Sequence, residues 1–433
     1  MRRVVKVSRI RIIITIIVVV LTTLLTGCTG KEPNEIAYVV ALGIDSTDDD
    51  NYKITIQYAN TTQISGGASE SGGKAGSEIV DNVTIEAPNI YAGVGLANNI
   101  VSKSFSMSHA KLIVFSKEIA EKGVKDMIET LVRSEEIRPD VFIAVANTTA
   151  NDYLTSVNPE MEVNPAQYYQ LIYQKNQLVG IPDGQLREFF TGLYTDNYDS
   201  ILPVAGVIDG SGGNSQNDDK GQSKDSQNEG SEGSSESLDS FESKSSNENE
   251  KEKDAEKNTS KYEYDIKNYV GGETTIEKKN KAEAIGAAVF EKDKMVGELG
   301  EVETEICKIL KGDYTYSYLT YYNNDTPDIP ITVKTTQQKK PKYKIDTDKK
   351  TVDIELYIES DLYSLPADYN VENKIEDFER NVANYTSSTC TEFINNFTKK
   401  YNSDILKLNE KLKYKFLTNN QYNCFKKNVD CRE

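Results

Sequence analysis

Tryptophan is absent from this sequence of 433 residues, and histidine occurs once, as His109. A single imidazole excludes H-E-x-x-H zinc-peptidase motifs and any site built on several histidines. The sequence also lacks the G-x-x-x-x-G-K-[ST] phosphate loop and the G-x-S-x-G nucleophile turn. We therefore assign no catalytic, metal-binding or cofactor-binding residue, and we expect a protein that is not an enzyme.

Two short patterns give only weak indications of a site. Asp45, Asp48, Asp49 and Asp50 lie close together at the end of an apolar segment. They lack the alternating spacing of a calcium loop, so we interpret them as a solvated turn. Ser108 and His109 are adjacent, and neighbouring strand residues point to opposite faces. We therefore expect a polar lead-in to a strand there, and not a nucleophile beside its base.

Cysteine is scarce as well, with five residues and no C-x-x-C pair. We interpret Cys307, Cys390, Cys424 and Cys431 as isolated thiols or small core residues. A Cys424–Cys431 disulfide across a short loop is the alternative. Cys28 differs from the other four because it follows an apolar run and lies among small residues.

The N-terminus combines positive charge with a short apolar run. The first eleven residues hold five basic residues and no acidic one, and residues 12–25 are apolar apart from three threonines. This run is shorter than the ~20 residues of a membrane-spanning helix but has the length of a signal peptide. Its ending, Leu25-Thr26-Gly27-Cys28, resembles the lipobox of bacterial lipoproteins. The resemblance implies diacylglyceryl transfer to the Cys28 thiol and cleavage after Gly27, with an uncleaved anchor helix as the alternative.

The lipobox divides this region into a signal peptide, residues 1–27, and a lipidated tether, residues 28–34. Two acyl chains give stable membrane anchoring where one chain is marginal. Without residues 1–27 the chain has 45 basic and 68 acidic residues, a net charge of −23. Nucleic acid and anionic lipid headgroups repel such a chain. We therefore expect no nucleic-acid partner, and attachment to the membrane through the lipid.

Residues 35–209 mix apolar segments with helical patterns, and we interpret them as an N-terminal α/β domain. Buried strands are predicted at 35–45, 110–116, 141–147 and 201–209. Residues 52–59 alternate more strictly, which places Thr55 and Gln57 on a wet face. Helical spacing continues through residues 117–134. Strands and helices mix without strict alternation, so we predict an α+β fold and not a doubly wound sheet.

Residues 210–270 are predicted to be an acidic, disordered insert. The stretch from 210 to 260 is rich in Ser, Glu, Asn and Gly and holds almost no apolar residue. We interpret it as a tolerated loop insertion, and a binding tail for a cationic partner is the alternative. Residues 271–319 resume with a strand, a hairpin and a helix. We expect their segment AIGAAVF to pair with VAGVI, so that the insert interrupts one sheet.

The C-terminal α+β domain, residues 320–433, has a different pattern. Three alternating segments predict an antiparallel meander, at 328–335, 341–346 and 350–360. Apolar residues then recur every three or four positions from Ile375 to Leu412, which predicts long helices with one buried face. Asn402-Ser403-Asp404 is expected to break this run and cap a second helix. The last fifteen residues show no pattern.

Six further segments follow the lipobox in a fixed order. They are EIAYVVALGID (35–45), YKITIQYAN (52–60), SHAKLIVFSKEIAEKG (108–123), RSEEIRPDVFIAVA (133–146), LPVAGV (202–207) and GAAVFEKDKMVGEL (286–299). This ordered set resembles the Ger(x)C family, the C-subunit lipoproteins of spore germinant receptors. The resemblance runs from Cys28 to about Leu417 and implies a mixed α/β body of about three subdomains.

The family resemblance also implies a function. It implies a non-enzymatic, nutrient-sensing receptor subunit, lipid-anchored on the outer, extracytoplasmic face of the spore inner membrane. An A-type subunit and a multipass B-type subunit are the implied partners. The family offers no catalytic residue to carry over, so Cys28 is the only site residue assigned.

Two departures from the family pattern set limits to this expectation. Thr29-Gly30 follows Cys28 where the family often has Trp-Asp. The chain ends soon after Asp404-Ile405-Leu406, where family members continue with helical sequence and a final strand, so we expect a truncated C-terminal domain with an unpaired sheet edge.

A lipoprotein solute-binding protein of an ABC transporter is the alternative function. It would need two similar βα lobes with a hinge, which the antiparallel meander disfavours.

Overall fold

The computed structural model describes eleven stretches of the chain: residues 11–19, 35–49, 51–59, 80–159, 165–174, 180–195, 198–208, 268–274, 280–323, 326–365 and 375–426. Residues 11–19 form a short helix. Within the described stretches, no helix has both the length and the apolar character needed to cross a membrane. Cys28, the tether and nearly all of the acidic insert lie outside the described residues.

Strands and helices occur in mixed order along the chain. The described strands are β1 (Ile36–Ser46), β2 (Tyr52–Ala59), β3 (Val80–Ala87), β4 (Ser104–Ser106), β5 (Leu112–Ser116), β6 (Phe142–Ala146), β7 (Ile201–Val207), β8 (Ala282–Glu291), β9 (Lys294–Leu299), β10 (Tyr316–Asn323), β11 (Thr326–Asp346) and β12 (Thr351–Ser364). The helices that follow β3 are α1 (Ile90–Ala97), α2 (Lys117–Lys122), α3 (Lys125–Val132), α4 (Ala150–Ser156), α5 (Pro165–Gln174), α6 (Leu186–Tyr194), α7 (Glu301–Lys311), α8 (Ile375–Lys400), α9 (Leu408–Lys413) and α10 (Asn419–Lys426).

The first nine strands form one mixed sheet. Its order is β3-β2-β1-β5-β6-β7-β8-β9, and β4 pairs with β1. The central strands β1, β5, β6 and β7 are parallel to one another, and antiparallel strands flank them on both sides. Side chains of α1, α2, α3 and α6 pack on one face, and those of α4 and α5 pack on the other. Covered on both faces, the central strands consist of nearly continuous apolar residues.

The predicted pairing across the acidic insert is confirmed. β7 pairs antiparallel with β8, so the chain on either side of the insert belongs to one sheet. Gly206 on β7 lies against the backbone of Gly271 and Gly272, just after the insert. A Cβ atom at Gly206 would lie 2.0 Å from the Gly272 nitrogen, so only glycine permits this approach.

The wet face predicted for β2 is wrong. Thr55 and Gln57 are fully buried, because α4 and α5 cover the face on which they lie. The Gln57 side-chain amide donates to the Leu154 carbonyl oxygen at 2.8 Å and accepts from the Tyr169 hydroxyl at 2.5 Å. Strand alternation identified the face correctly, but helices that come a hundred residues later in the chain exclude water from it.

The helical pattern over 117–134 forms two helices, α2 and α3, instead of one. Gly123 separates the two helices. Its backbone φ is +124°, a conformation that residues other than glycine rarely adopt. The apolar side chains keep helical spacing on both sides of this break, so the pattern alone did not reveal it. Ile119, Ile128 and Leu131 still reach the same core.

The C-terminal sheet has three antiparallel strands, in the order β10-β11-β12. The sequence predicted three strands, as observed, but it did not divide the chain into those strands correctly. The first two predicted segments belong to a single strand, β11, of 21 residues, whose pairing is irregular between Gln337 and Lys342. The third strand is β10, which the sequence analysis did not identify.

The helical run after residue 375 breaks where predicted. α8 ends at Lys400, and both Asp404 carboxylate oxygens accept backbone N–H groups of α9, from Leu408 at 2.8 Å and from Asn409 at 2.7 Å. The tail described as unpatterned contains α10. With a mixed sheet, an antiparallel sheet and long helices near the C-terminus, the α+β fold class is confirmed.

Candidate functional site: a buried joint and an open groove

Ser108 and His109 are closer to each other than expected. The Ser108 hydroxyl lies 3.0 Å from His109 Nδ1, because both residues belong to a turn after β4 and not to a strand. The argument from opposite strand faces was therefore wrong. His109 is exposed, its ring packs edge-on against Tyr38, and the nearby carboxylate of Glu136 accepts from Ser106 and Met107 instead of from the imidazole. In these contacts no acid orients the imidazole as a general base would require.

Asp45 does not belong to a solvated turn. It is buried, and its two carboxylate oxygens accept the backbone N–H groups of Ala150 at 2.6 Å and Asn151 at 3.0 Å, at the start of α4. Burial raises the pKa of the Asp45 carboxyl, and the two backbone donors oppose this shift. Asp48 and Asp49 are exposed, as predicted. Asp45 is thus a structural link between β1 and a helix N-terminus.

The cysteines divide into two kinds. Cys307 and Cys390 are buried free thiols in the core around α7 and α8, which confirms the expectation for this pair. Burial raises the pKa of each thiol to about 11, so neither is a reactive thiolate near neutral pH. Cys424, on α10, is disulfide-bonded, so the isolated-thiol interpretation is wrong for that residue.

α7 connects the two sheets through polar contacts that are unusual for a buried helix. Lys308 is 5% exposed, and its Nζ donates to the Ile181 carbonyl oxygen at 3.2 Å, in the loop before α6. Burial lowers the pKa of Lys308 to about 8, and the carboxylates of Asp313, Glu305 and Asp183 partly offset that effect. A buried ammonium needs such partners because an uncompensated charge is costly in the interior.

Glu305, one turn before Lys308, joins α7 to the C-terminal sheet. Its carboxylate accepts a hydrogen bond from the Ser317 hydroxyl of β10. The Tyr314 hydroxyl lies 2.8 Å from Ser317 Oγ and also contacts Thr335 of β11. Burial raises the pKa of the Glu305 carboxyl and raises that of Tyr314 to about 12. This cluster is a short, buried hydrogen-bond network between a helix and two strands.

Side chains of β11 also donate hydrogen bonds to the last turn of α7. Gln337 of β11 donates to the Ile309 carbonyl oxygen at 2.9 Å, and the Tyr343 hydroxyl donates to the Leu310 carbonyl oxygen. Carbonyl groups at a helix end have few backbone N–H partners, and these strand side chains supply additional donors beside the Gly312 N–H group that reaches Ile309. The residues from Glu305 to Leu310 therefore form a joint that binds the mixed sheet through Ile181 and the C-terminal sheet through β10 and β11.

A groove opens beside this joint, between α8 and the inner face of β12. Its volume is about 790 Å³, in the range of ligand and peptide sites. The β12 side is formed by alternate apolar residues, Val352, Ile354, Leu356, Ile358 and Leu362. Residues of α8 form the opposite wall, with an apolar part that includes Phe378 and Val382 and a polar part that includes Thr386 and Asn395.

β12 is also an edge strand. Among the described residues it pairs only with β11, so one side of its backbone has no strand beside it. Val352 and Leu362 keep 39% and 37% of their surface exposed, although they face the groove. An unpaired edge next to an open apolar groove is the described surface best suited to bind another polypeptide.

The joint connects the two sheets, and the groove exposes an apolar surface beside an unpaired strand edge. Within the described stretches no group of three or more His, Cys, Asp or Glu side chains could hold a metal ion. The sequence analysis missed the joint, because Glu305 and Lys308 lie in an ordinary amphipathic helix pattern. It anticipated the free edge of the C-terminal sheet, although from a different set of strands.

Comparisons with known proteins find two family matches on this chain. Residues 30–207 match the family described as "Spore germination protein N-terminal domain", and residues 285–429 match "Spore germination B3/ GerAC like, C-terminal". Together the two matches cover most of the chain, and they leave out the acidic insert. The N-terminal match ends with β7, and the C-terminal match begins within β8.

Individual relatives are more distant. Spore germination protein KC of Bacillus subtilis (strain 168) is 26% identical over 174 residues, which is 37% of this chain and 42% of that protein. Spore germination protein B3 of the same organism is 26% identical over 148 residues, 32% of this chain and 36% of the relative. The chain thus spans about two fifths of the length of these relatives. The crystal structure of the GerBC protein aligns over 89% of each chain with 14% identity and a TM-score of 0.45. On the two domain matches, this chain belongs to the GerAC-like family of spore germination proteins.

Proposed function

We propose that this protein is a non-enzymatic lipoprotein subunit of a spore germinant receptor, held at the spore inner membrane by a diacylglyceryl group on Cys28. One observation carries the proposal: two domains of the spore germination family occur in order on one chain, at residues 30–207 and 285–429. An A-type subunit and a multipass B-type subunit are the proposed partners.

The position of Cys28 supports the anchoring part of the proposal. The family match begins at residue 30, and β1 begins at Ile36. Six residues lie between Cys28 and Glu35. The seven Cα-to-Cα steps of a fully extended chain would span about 3.5 Å each, or about 25 Å in total. A lipid on Cys28 would hold the mixed sheet close to the bilayer surface, despite the acidic charge of the chain.

The alternative, a solute-binding protein, requires two similar lobes that close on a ligand. The described residues instead form a large mixed sheet and a much smaller antiparallel sheet, joined through α7. Two such unequal parts, joined by buried hydrogen bonds, do not resemble hinged lobes. This contrast favours a scaffold that holds membrane partners over a transport receptor.

Lipidation is tested on the full precursor. We expect Cys28→Ala to abolish incorporation of a clickable fatty acid and to leave residues 1–27 attached, because the thiol is the acceptor and cleavage follows its modification. Cys307→Ala is the matched control, since that thiol is buried. Fatty-acid label that persists on the Cys28→Ala protein would disprove the anchor.

Receptor membership is tested by affinity purification of the tagged protein from solubilised spore inner membranes. We expect an A-type subunit and a multipass B-type subunit to copurify, and spores without this protein to lose the response to a nutrient germinant. Copurification of an ABC permease and its ATPase would favour the alternative function instead.

A further inference from the structure

The free edge of β12 carries a regular pattern of charge. Even-numbered residues from Val352 to Leu362 line the groove, and all of them except Ser360 are apolar. Among the odd-numbered residues four are acidic: Asp353, Glu355, Glu359 and Asp361, of which Glu359 also borders the groove. The side chains of these four carboxylates are all exposed.

On the paired side of β12, lysines of β11 complement these carboxylates. Lys344 lies opposite Asp353, Lys342 opposite Glu355, and Lys334 opposite Asp361. Opposite charges that face each other across two strands stabilise the pairing. Among the described residues, no strand provides the same complement on the free side.

The same pattern disfavours pairing with a second copy of the chain. An antiparallel β12–β12 pair centred on Tyr357 would place Glu355 opposite Glu359 and Asp353 opposite Asp361. Like charges directly opposite each other destabilise a strand pair. This charge pattern therefore disfavours a second copy of the chain and favours a strand of opposite charge.

We infer that β12 is a docking edge for an extended segment of another protein, in which apolar residues alternate with lysine or arginine. The backbone of that segment would extend the sheet order β10-β11-β12 by one strand. Its apolar side chains would enter the groove beside Val352, Ile358 and Leu362, and its basic side chains would continue the ladder of alternating charge. The inference rests on β12 and the groove, and holds whether or not the protein is a receptor subunit.

Synthetic peptides provide the test on the full detergent-solubilised chain. The probe is a nine-residue fluorescent peptide that alternates valine or isoleucine with lysine, and the comparison peptide has glutamate in place of lysine. We expect fluorescence anisotropy to show binding of the lysine peptide only, weakening as salt is added. Equal binding of the two peptides, or no binding of either, would overturn the inference.

Variants locate the peptide on the edge. Neutralising two exposed carboxylates, Glu355→Gln with Glu359→Gln, should weaken binding by about two- to tenfold, the range for exposed ion pairs. Glu86→Gln, which neutralises an exposed carboxylate on β3, an edge strand of the mixed sheet, should change nothing. Hydrogen exchange should slow across residues 352–362 when peptide is bound. An unchanged exchange rate there, with peptide bound, would also contradict the inference.

Discussion

Gln57 is a polar residue whose burial depends on helices far away in the sequence. Its side-chain amide is held between the Leu154 carbonyl and the Tyr169 hydroxyl, and all these groups are shielded from water. A buried donor or acceptor that loses its partner keeps the cost of its own desolvation. The Gln57 contact therefore contributes to the attachment of α4 and α5 to the sheet.

We predict that Gln57→Leu lowers the free energy of unfolding by about 2 to 4 kcal/mol, because two buried groups lose their partners. Urea unfolding measures the change. Gln170→Leu is the control, since Gln170 lies on the same helix as Tyr169 and is exposed. Tyr169→Phe combined with Gln57→Leu should cost less than the two single changes added together. Additive losses would show that the two side chains do not interact.

Buried tyrosines surround the same contact. Tyr153, Tyr169 and Tyr173 pack between the sheet and its helices, with the Tyr153 and Tyr173 hydroxyls 2.9 Å apart. Burial raises the pKa of all three phenols well above the usual value, because phenolate is poorly solvated there. Lys308 shifts in the opposite direction, to about 8.

These shifts predict a stability maximum at mildly alkaline pH. From about pH 8 the unfolded chain keeps the Lys308 proton that the folded chain has lost, so this group makes stability rise with pH. Above about pH 9 the unfolded chain loses the thiol protons of Cys307 and Cys390, and above about pH 10 it loses tyrosine protons. The folded chain retains all of these protons, so stability falls. Urea midpoints across pH 7–12 measure both effects.

Matched variants separate the two groups. Lys308→Met should remove the rise and leave the fall. Tyr153→Phe should make the fall less steep, and the exposed Tyr414→Phe should not. A fall above pH 10 that is equally steep in Tyr153→Phe would show that the buried phenols are not its cause.

At the scale of elements, β1 and β12 illustrate two environments for a strand. β1 lies between β2 and β5 in the mixed sheet, and most of its residues are buried. β12 lies at an edge, and most of its residues are exposed or only half-buried. A strand with one pairing partner and an open groove on its inner face opens more readily than a central one.

We predict weaker hydrogen-exchange protection for residues 351–358 than for residues 36–44, because only β11 holds the first segment. Amide exchange of the purified protein, followed by mass spectrometry, measures both segments in one experiment. The internal comparison is β11, whose pairing with β10 and β12 should give intermediate protection. Equal protection in the two segments would mean that the C-terminal sheet is as stable as the central sheet.

At the scale of the whole molecule, the acidic insert interrupts a continuous structure. β7 and β8 enclose the insert in the sequence and pair with each other in the mixed sheet. α7, which follows β9, donates from Lys308 to the loop at Ile181, on the other side of the insert. Contacts on both sides of the insert therefore tie the two halves of the chain together.

We predict that limited proteolysis cuts first within residues 210–260 and that the two fragments remain associated under native conditions. The composition of the insert motivates the cleavage site, and the β7–β8 pairing explains the association. Size-exclusion chromatography of the cleaved protein should show one peak under native conditions. In urea the two fragments should separate into two peaks. Two peaks under native conditions would mean that the insert is a linker between independent domains.

Local patterns determined much of this fold. Continuous apolar runs located β1, β5, β6 and β7, because strands covered on both faces need no polar positions. The spacing of apolar residues located α7 and α8, and Asp404 marked the start of α9 by its capping chemistry. The ordered set of segments was sufficient to identify the family.

Only the tertiary structure decided which faces are buried and which strands are partners. Gln57 and Asp45 resemble surface residues in the sequence, and they are buried because α4 and α5 pack over the strands that carry them. β10 lacked clear alternation and was defined by its pairing with β11. Hydrophobic periodicity indicates which side chains are buried, but it does not indicate which element packs against them. For that reason the joint at α7 and the free edge of β12 became visible only once distant segments had been brought together.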